Sequence, residues 1–199
     1  MDHPLFTGAC TALVTPFLNG QVNYPMLGIL LQRQIDAGIP AVVLAGTTGE
    51  SPTLTDTETL EMIRFGKAFT NNKMLIIAGT GCSNTSHAIE KSIAAENAGA
   101  DALLIVGPYY NKATPDGLVA HYSAIADTVK IPIILYNVPS AHRASPPCVM
   151  YILYCVLYEK NCLTLARSVL DSRQLRLYIL IVRLVSSSLT FSRVPPSLA

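Results

Sequence analysis

The sequence predicts an α/β fold over residues 1–140, with about five parallel strands and four helices, followed by a stretch of different character. Three observations predict it. Five short apolar runs recur along the first 140 residues: Gly8–Pro16, Ala41–Gly46, Met74–Gly79, Ala102–Gly107 and Ile131–Tyr136. They are nearly continuous in apolar character rather than alternating, as suits parallel strands covered on both faces. Stretches of helical period separate them, giving a strand-then-helix repeat of about 30 residues.

Each helix carries its own start or stop signal. After the first run, Leu27, Leu31 and Ile35 share one face, with Asn23 as the candidate cap. After the second, Thr55-Asp56-Thr57-Glu58 fits a capping box. The third helix spans Asn84 to Asn97 and stops at Ala98-Gly99. In the fourth, Thr114 caps and Pro115 takes the first helical position. Right-handed crossovers between such strands give a parallel sheet, closed either as a doubly wound sheet or as a (β/α)₈ barrel. No G-x-G-x-x-G and no P-loop follows the first run, so nucleotide binding is not signalled.

In both closures ligands bind beyond the carboxyl ends of the strands. Those ends read Thr15-Pro16, then Gly46-Thr47-Thr48-Gly49-Glu50-Ser51, then Gly79-Thr80-Gly81, then Pro108-Tyr109-Tyr110-Asn111, and finally Tyr136-Asn137-Val138-Pro139-Ser140. The ring is rich in hydroxyls, amides and small residues, with one acid and no histidine. It suits a small carboxylate held by backbone N–H groups and hydroxyls, with tyrosines as proton carriers. The four histidines (3, 87, 121 and 142) are scattered and suggest no metal cluster, and no cofactor is signalled.

GTTGES, AGTG, PYYN and YNVPS, in this order and at these spacings, resemble the 4-hydroxy-tetrahydrodipicolinate synthase (dihydrodipicolinate synthase) family. That family is a group of class I pyruvate-dependent aldolases and lyases on (β/α)₈ barrels, and the resemblance spans about Phe6 to Ser140. It implies an incomplete TIM barrel for residues 1–140. It also implies condensation of pyruvate with L-aspartate 4-semialdehyde, in lysine and diaminopimelate biosynthesis, through a Schiff base to a lysine on the sixth strand. By motif, Thr48 and its backbone hold the pyruvate carboxylate. Tyr136 carries the proton beside the imine, Thr47 hydrogen-bonds Tyr136, and Tyr110 completes the relay from a partner subunit. A homo-oligomer, a dimer or tetramer, is therefore implied. The family's lysine-feedback carboxylate falls on His87, so lysine inhibition does not carry over. The alternatives are another pyruvate lyase of the group, acting on N-acetylneuraminate or keto-deoxy sugar acids, or a non-catalytic barrel fragment.

The covalent step needs an uncharged, desolvated lysine in the pocket. Beyond Ser140 there is only Lys160, with no glycine before it and no strand-to-loop pattern around it. The family's arginine after YNVPS is Ala141 here. This chain is therefore expected to be inactive.

The break is visible in composition. All 12 glycines lie between Gly8 and Gly117, and residues 141–199 have none. Those residues hold two acids, Glu159 and Asp171, against six arginines and one lysine. A codon reading accounts for the change. Ala141-His142-Arg143-Ala144, written GCN-CAY-CGN-GCN, becomes CNC-AYC-GNG-CNT when the first G is dropped and Ser145 begins with T. Permitted third bases make that Arg-Thr-Gly-Leu, the continuation the family expects. One extra base after the Ser140 codon is thus the expected cause, and residues 141–199 are expected to be an out-of-frame tail rather than a domain. Unless the tail covers the open sheet edges, a poorly soluble chain is expected.

Composition excludes other classes. The formal net charge is +1, so no basic field argues for nucleic acid. Five cysteines without a C-x-x-C pair suggest neither a disulfide framework nor zinc, which favours a reducing cytoplasm. No signal peptide is visible. The apolar stretches of the tail are too short to cross a bilayer, so no membrane association is expected.

Overall fold

The computed structural model describes residues 5–110, 113–136 and 155–157. Asn111, Lys112, Asn137–Ser140, Ala141 and Lys160 lie outside them.

The chain folds as β1 (Cys10–Ala12), a small β2–β3 hairpin (Phe17–Leu18 and Gln21–Val22), α1 (Tyr24–Asp36), β4 (Ala41–Leu44) and α2 (Asp56–Thr70). There follow β5 (Leu75–Gly79), α3 (Thr85–Asn97), β6 (Ala102–Val106), α4 (Pro115–Ala126), β7 (Ile133–Tyr136) and β8 (Cys155–Leu157). One sheet runs β1-β4-β5-β6-β7-β8. The pairs from β1 to β7 are all parallel, and β7 pairs β8 antiparallel. Five parallel strands with four helices on one face make a curled half of a (β/α)₈ barrel.

All four helix starts predicted from the sequence form. Asn23 accepts from the Met26 N–H, and Thr114 from the Gly117 N–H. The capping box closes both ways: Thr55 Oγ1 accepts from the Glu58 N–H at 3.2 Å, and Glu58 Oε2 accepts from the Thr55 N–H at 2.8 Å. α3 is capped by Ala98, with Gly99 in the left-handed region that its missing Cβ permits. The first strand is shorter than its apolar run, because only Cys10–Ala12 meets the β4 ladder. The β2–β3 hairpin is an element the apolar runs did not mark. Its signal is Asn19-Gly20, both at positive φ (53° and 78°), as a type I′ turn requires.

Side chains alternate across the pleat and build two cores. On the outer face Val42, Leu44, Ile76, Leu103, Ile105 and Ile133 meet Leu27 and Leu31 of α1, Met62 and Ile63 of α2, Ala88 and Ala95 of α3 and Ile125 of α4. On the inner face Ala41, Val43, Ile77, Ala102 and Ile134 cluster with Leu5, Phe6 and Cys10. Asp101 ties the sheet to α2 by accepting from the Ile76 N–H and from Lys67 Nζ.

The tail contributes β8, in the register Ile133↔Leu157, Ile134↔Val156 and Leu135↔Cys155. It runs against β7, whereas the next strand of a (β/α)₈ barrel would run with it. β1 has no partner beyond β4 among the described residues. Also among the described residues, no helix is long and apolar enough to cross a membrane, and no group of three or more His, Cys, Asp or Glu could hold a metal ion.

Candidate active site

Because β1, β4, β5, β6 and β7 run parallel, their carboxyl ends open on one rim, where the described strand-end residues Thr15, Thr47, Thr48, Thr80 and Tyr136 lie. The β4 end leads. Ala45 turns through the left-handed region (φ 52°), and the chain then folds back on itself. Gly49 N–H donates to Gly46 O at 3.0 Å, Glu50 N–H to Thr47 O at 3.1 Å, and Ser51 N–H to Gly46 O at 3.3 Å. Glu50, also left-handed, then enters the 3₁₀ turn Ser51–Thr53. Thr47 and Thr48 form the exposed tip of this loop. Among the described residues, their N–H groups donate to no carbonyl. Two neighbouring hydroxyls and two N–H groups without a carbonyl partner thus stand together on one tip, a donor set of the kind that can receive an anion.

The loop is fixed from below. The buried Thr15 Oγ1 donates to Gly49 O at 2.6 Å. The β5 end is equally constrained. A Cβ on Gly79 would stand 2.2 Å from Ala45 O, and one on Gly81 would stand 2.4 Å from Val106 N. Only glycine lets these backbones approach so closely. Thr80, fully buried, shares a 2.9 Å hydrogen bond with Ser92 of α3, which holds the strand end against the helix.

Tyr136 closes β7, paired with Val106, and its carbonyl accepts from Gly107 N–H at 3.4 Å. It lies two residues beyond Ile134, so the pleat puts it on the inner face, half-buried. The structure thus brings Thr47, Thr48 and Tyr136 to one rim, but no hydrogen bond joins Thr47 to Tyr136. Tyr110 stands apart, fully exposed and in the left-handed region at φ 81°. A non-glycine residue held there carries strain of order 1 kcal/mol or more.

Thr15, Thr80 and Ser92 support the rim without having been singled out in the sequence. Thr15 and Thr80 are visible there only as strand-end residues, and Ser92 only as a polar residue within a helix. An apolar groove lies elsewhere, on the outside between α1 and α2, lined by Tyr24, Gly28, Ile29, Phe65 and Phe69. It faces away from the rim.

Comparison with known proteins reaches the same region. Residues 5–148 match the model of the dihydrodipicolinate synthetase family, eight residues past the compositional break at Ser140. The chain is 48% identical over 139 residues to a 4-hydroxy-tetrahydrodipicolinate synthase of Acetivibrio thermocellus, covering 70% of this chain and 48% of that protein. Among solved structures, a chloride-inhibited dihydrodipicolinate synthase of Acinetobacter baumannii complexed with pyruvate is 46% identical. It superposes with a TM-score of 0.66 over 68% of this chain and 47% of its own. A variant described as the first monomeric dihydrodipicolinate synthase is 36% identical, with a TM-score of 0.68 over 69% of this chain and 46% of its own. The chain spans about half the length of the relatives it matches.

Proposed function

The chain belongs to the dihydrodipicolinate synthetase family, and from that premise we propose that residues 1–140 form the pyruvate-recognition half of a synthase of the relatives' kind. The intact reaction condenses pyruvate with L-aspartate 4-semialdehyde in the cytoplasm, for lysine and diaminopimelate biosynthesis. The observation that carries this reading is the exposed Thr47–Thr48 tip with two free N–H groups, pinned from below by Thr15. Thr48 hydroxyl and the tip N–H groups receive the carboxylate.

Tyr136 serves the proton traffic of the Schiff base. When a lysine amine adds to the pyruvate C2 carbonyl, a hydroxyl must leave as water, and a phenol O–H on the inner face supplies that proton. A phenol that has given up its proton must regain it for the next turnover, and a hydroxyl chain through Thr47 and Tyr110 restores it. Tyr110 points into solvent in a strained conformation. That fits a residue delivered to a second copy, and it supports a dimeric or tetrameric working state.

The lysine that starts the reaction is missing from this chain, since Lys160 follows no family pattern. Binding without imine formation is therefore the activity assigned to it. Residues 141–199 are assigned to a shifted reading frame rather than to a domain. The gene sequence across the Ser140 codon tests that: a one-base correction should open Arg-Thr-Gly and then a G-x-K-[ED] strand.

Saturation-transfer NMR with pyruvate tests the binding reading. Signal transfer that Thr48→Val abolishes is the expected result, and no transfer to the parent chain defeats it. Borohydride treatment with pyruvate, followed by mass spectrometry, should leave the chain unmodified. A pyruvyl adduct on Lys160 would overturn the inactive assignment.

A further inference from the structure

Two strands, β5 and β6, separate the Thr47–Thr48 tip at the end of β4 from Tyr136 at the end of β7. β5 brings no side chain to the inner face there. Residues two apart share a face of the pleat, so Gly79 follows Ile77 onto the inner face. The place of its missing Cβ is taken by the chain leaving β4: a Cβ there would land on Ala45 O and stand 2.9 Å from Gly46 N. The β4 loop therefore crosses over the end of β5, towards β6. Gly81 is bare as well, and it lies against Val106, whose Cγ1 would be 2.9 Å from a Cβ on Gly81.

β6 is different. Leu104 packs against the inner cluster, and Val106 lies two residues further towards the rim on the same face. Leu104 is paired with Gly79 and Ile134, one row deeper, whereas Val106 is paired with Tyr136 itself. Val106 and Tyr136 are both half-buried. Among the described residues of β5 and β6, Val106 is thus the side chain that the inner face carries at the level of the phenol.

We propose that Val106 is a specificity-determining residue of this site, its isopropyl group forming the wall that admits the methyl group of pyruvate and excludes a 2-oxo acid with a longer chain. The proposal rests on the pyruvate reading above and deepens it. A 2-oxo acid held by its carboxylate at the tip, with its C2 carbonyl beside the phenol, has its polar atoms spoken for. Its alkyl end needs apolar surface, and Val106 supplies it between those two groups. The wall is stiff. A β-branched side chain has little freedom at χ1. Its backbone is held on both sides, since Thr80 N–H donates to Leu104 O at 3.2 Å and Gly107 N–H to Tyr136 O at 3.4 Å.

The test measures the affinity of the full chain for pyruvate and for 2-oxobutyrate by ligand-observed NMR titration. The parent chain should prefer pyruvate about tenfold, the low end of what one methylene is worth in a fitted pocket. Val106→Ala should bring the two acids to near parity by gaining affinity for 2-oxobutyrate. Val106→Ile, which adds a methylene to the wall, should weaken pyruvate about tenfold. Circular dichroism checks that each variant folds, and Val106→Ile carries the test if Val106→Ala does not. A purely structural role would weaken both acids by the same factor. The proposal is overturned by that result, by a parent chain that binds both acids equally, or by a preference unchanged in the folded variants. A parent chain that binds neither acid defeats the functional reading and this proposal with it. Pyruvate binding with selectivity indifferent to Val106 overturns this proposal alone.

Discussion

Thr15 and Gly49 are 34 positions apart, yet the Thr15 hydroxyl donates to the Gly49 carbonyl at 2.6 Å inside the protein. That bond joins the end of β1 to the loop after β4, and it sets the height of the Thr47–Thr48 tip. Removing the donor leaves a buried carbonyl without its partner. Thr15→Val should therefore cost about 1–3 kcal/mol in urea unfolding, and Thr15→Ser should recover most of it. The loop should also loosen, visible as faster amide exchange at Gly49, Glu50 and Ser51, whose N–H groups are bonded within it.

Gly79 carries a steric prediction. Its Cβ position lies 2.2 Å from a backbone oxygen, which cannot rotate away as a side-chain end could. Gly79→Ala must separate β4 from β5 at the rim. A loss of about 3 kcal/mol is expected from chemical denaturation, in the range of overpacked cores. Gly38→Ala is the contrast: nothing lies within 4 Å of its Cβ position, so its cost comes only from its positive φ of 69°.

His121 makes stability depend on pH. It is buried on α4, with Nδ1 2.9 Å from Thr85 Oγ1 on α3 and no partner at Nε2. Burial lowers its pKa below the usual 6.5. The unfolded chain therefore takes up a proton below about pH 6.5 that the folded chain refuses, and stability falls as pH drops through that window. Urea midpoints at pH 7.5 and 5.5 should differ in that direction. The His121 ring resonance in the folded protein should titrate below 6.5.

Cys10 is predicted to be inert. Burial raises its thiol from 9.0 to about 11, which lowers the thiolate fraction at pH 8 about a hundredfold. Iodoacetamide labelling followed at the Cys10 peptide should be slower by that order in the native chain than in guanidinium.

What was legible in the sequence was local. Asn23, Thr55–Glu58, Asn84 and Thr114 announce their helices because a cap needs only residues three apart. The strand ends followed from apolar runs, and the tip followed from a distinctive turn. The supports of the tip were not legible. Thr15–Gly49, Thr80–Ser92 and the Gly79–Ala45 approach join residues that only the closed sheet brings together. β8 was hidden for a different reason. Its antiparallel pairing depends on an edge left free by β7, not on any turn signal of its own.

The outer core also bears on the order of synthesis. Its residues run from Leu13 to Leu135, and each helix packs on strands made just before or after it. Nothing beyond Tyr136 is needed for the helices to seat on the sheet. Chain growth is slow, about 5–20 residues per second, and helix packing is faster. The half-barrel can thus become compact once Tyr136 has emerged from the ribosome. A nascent chain of this family then has a packed platform ready when its later strands emerge.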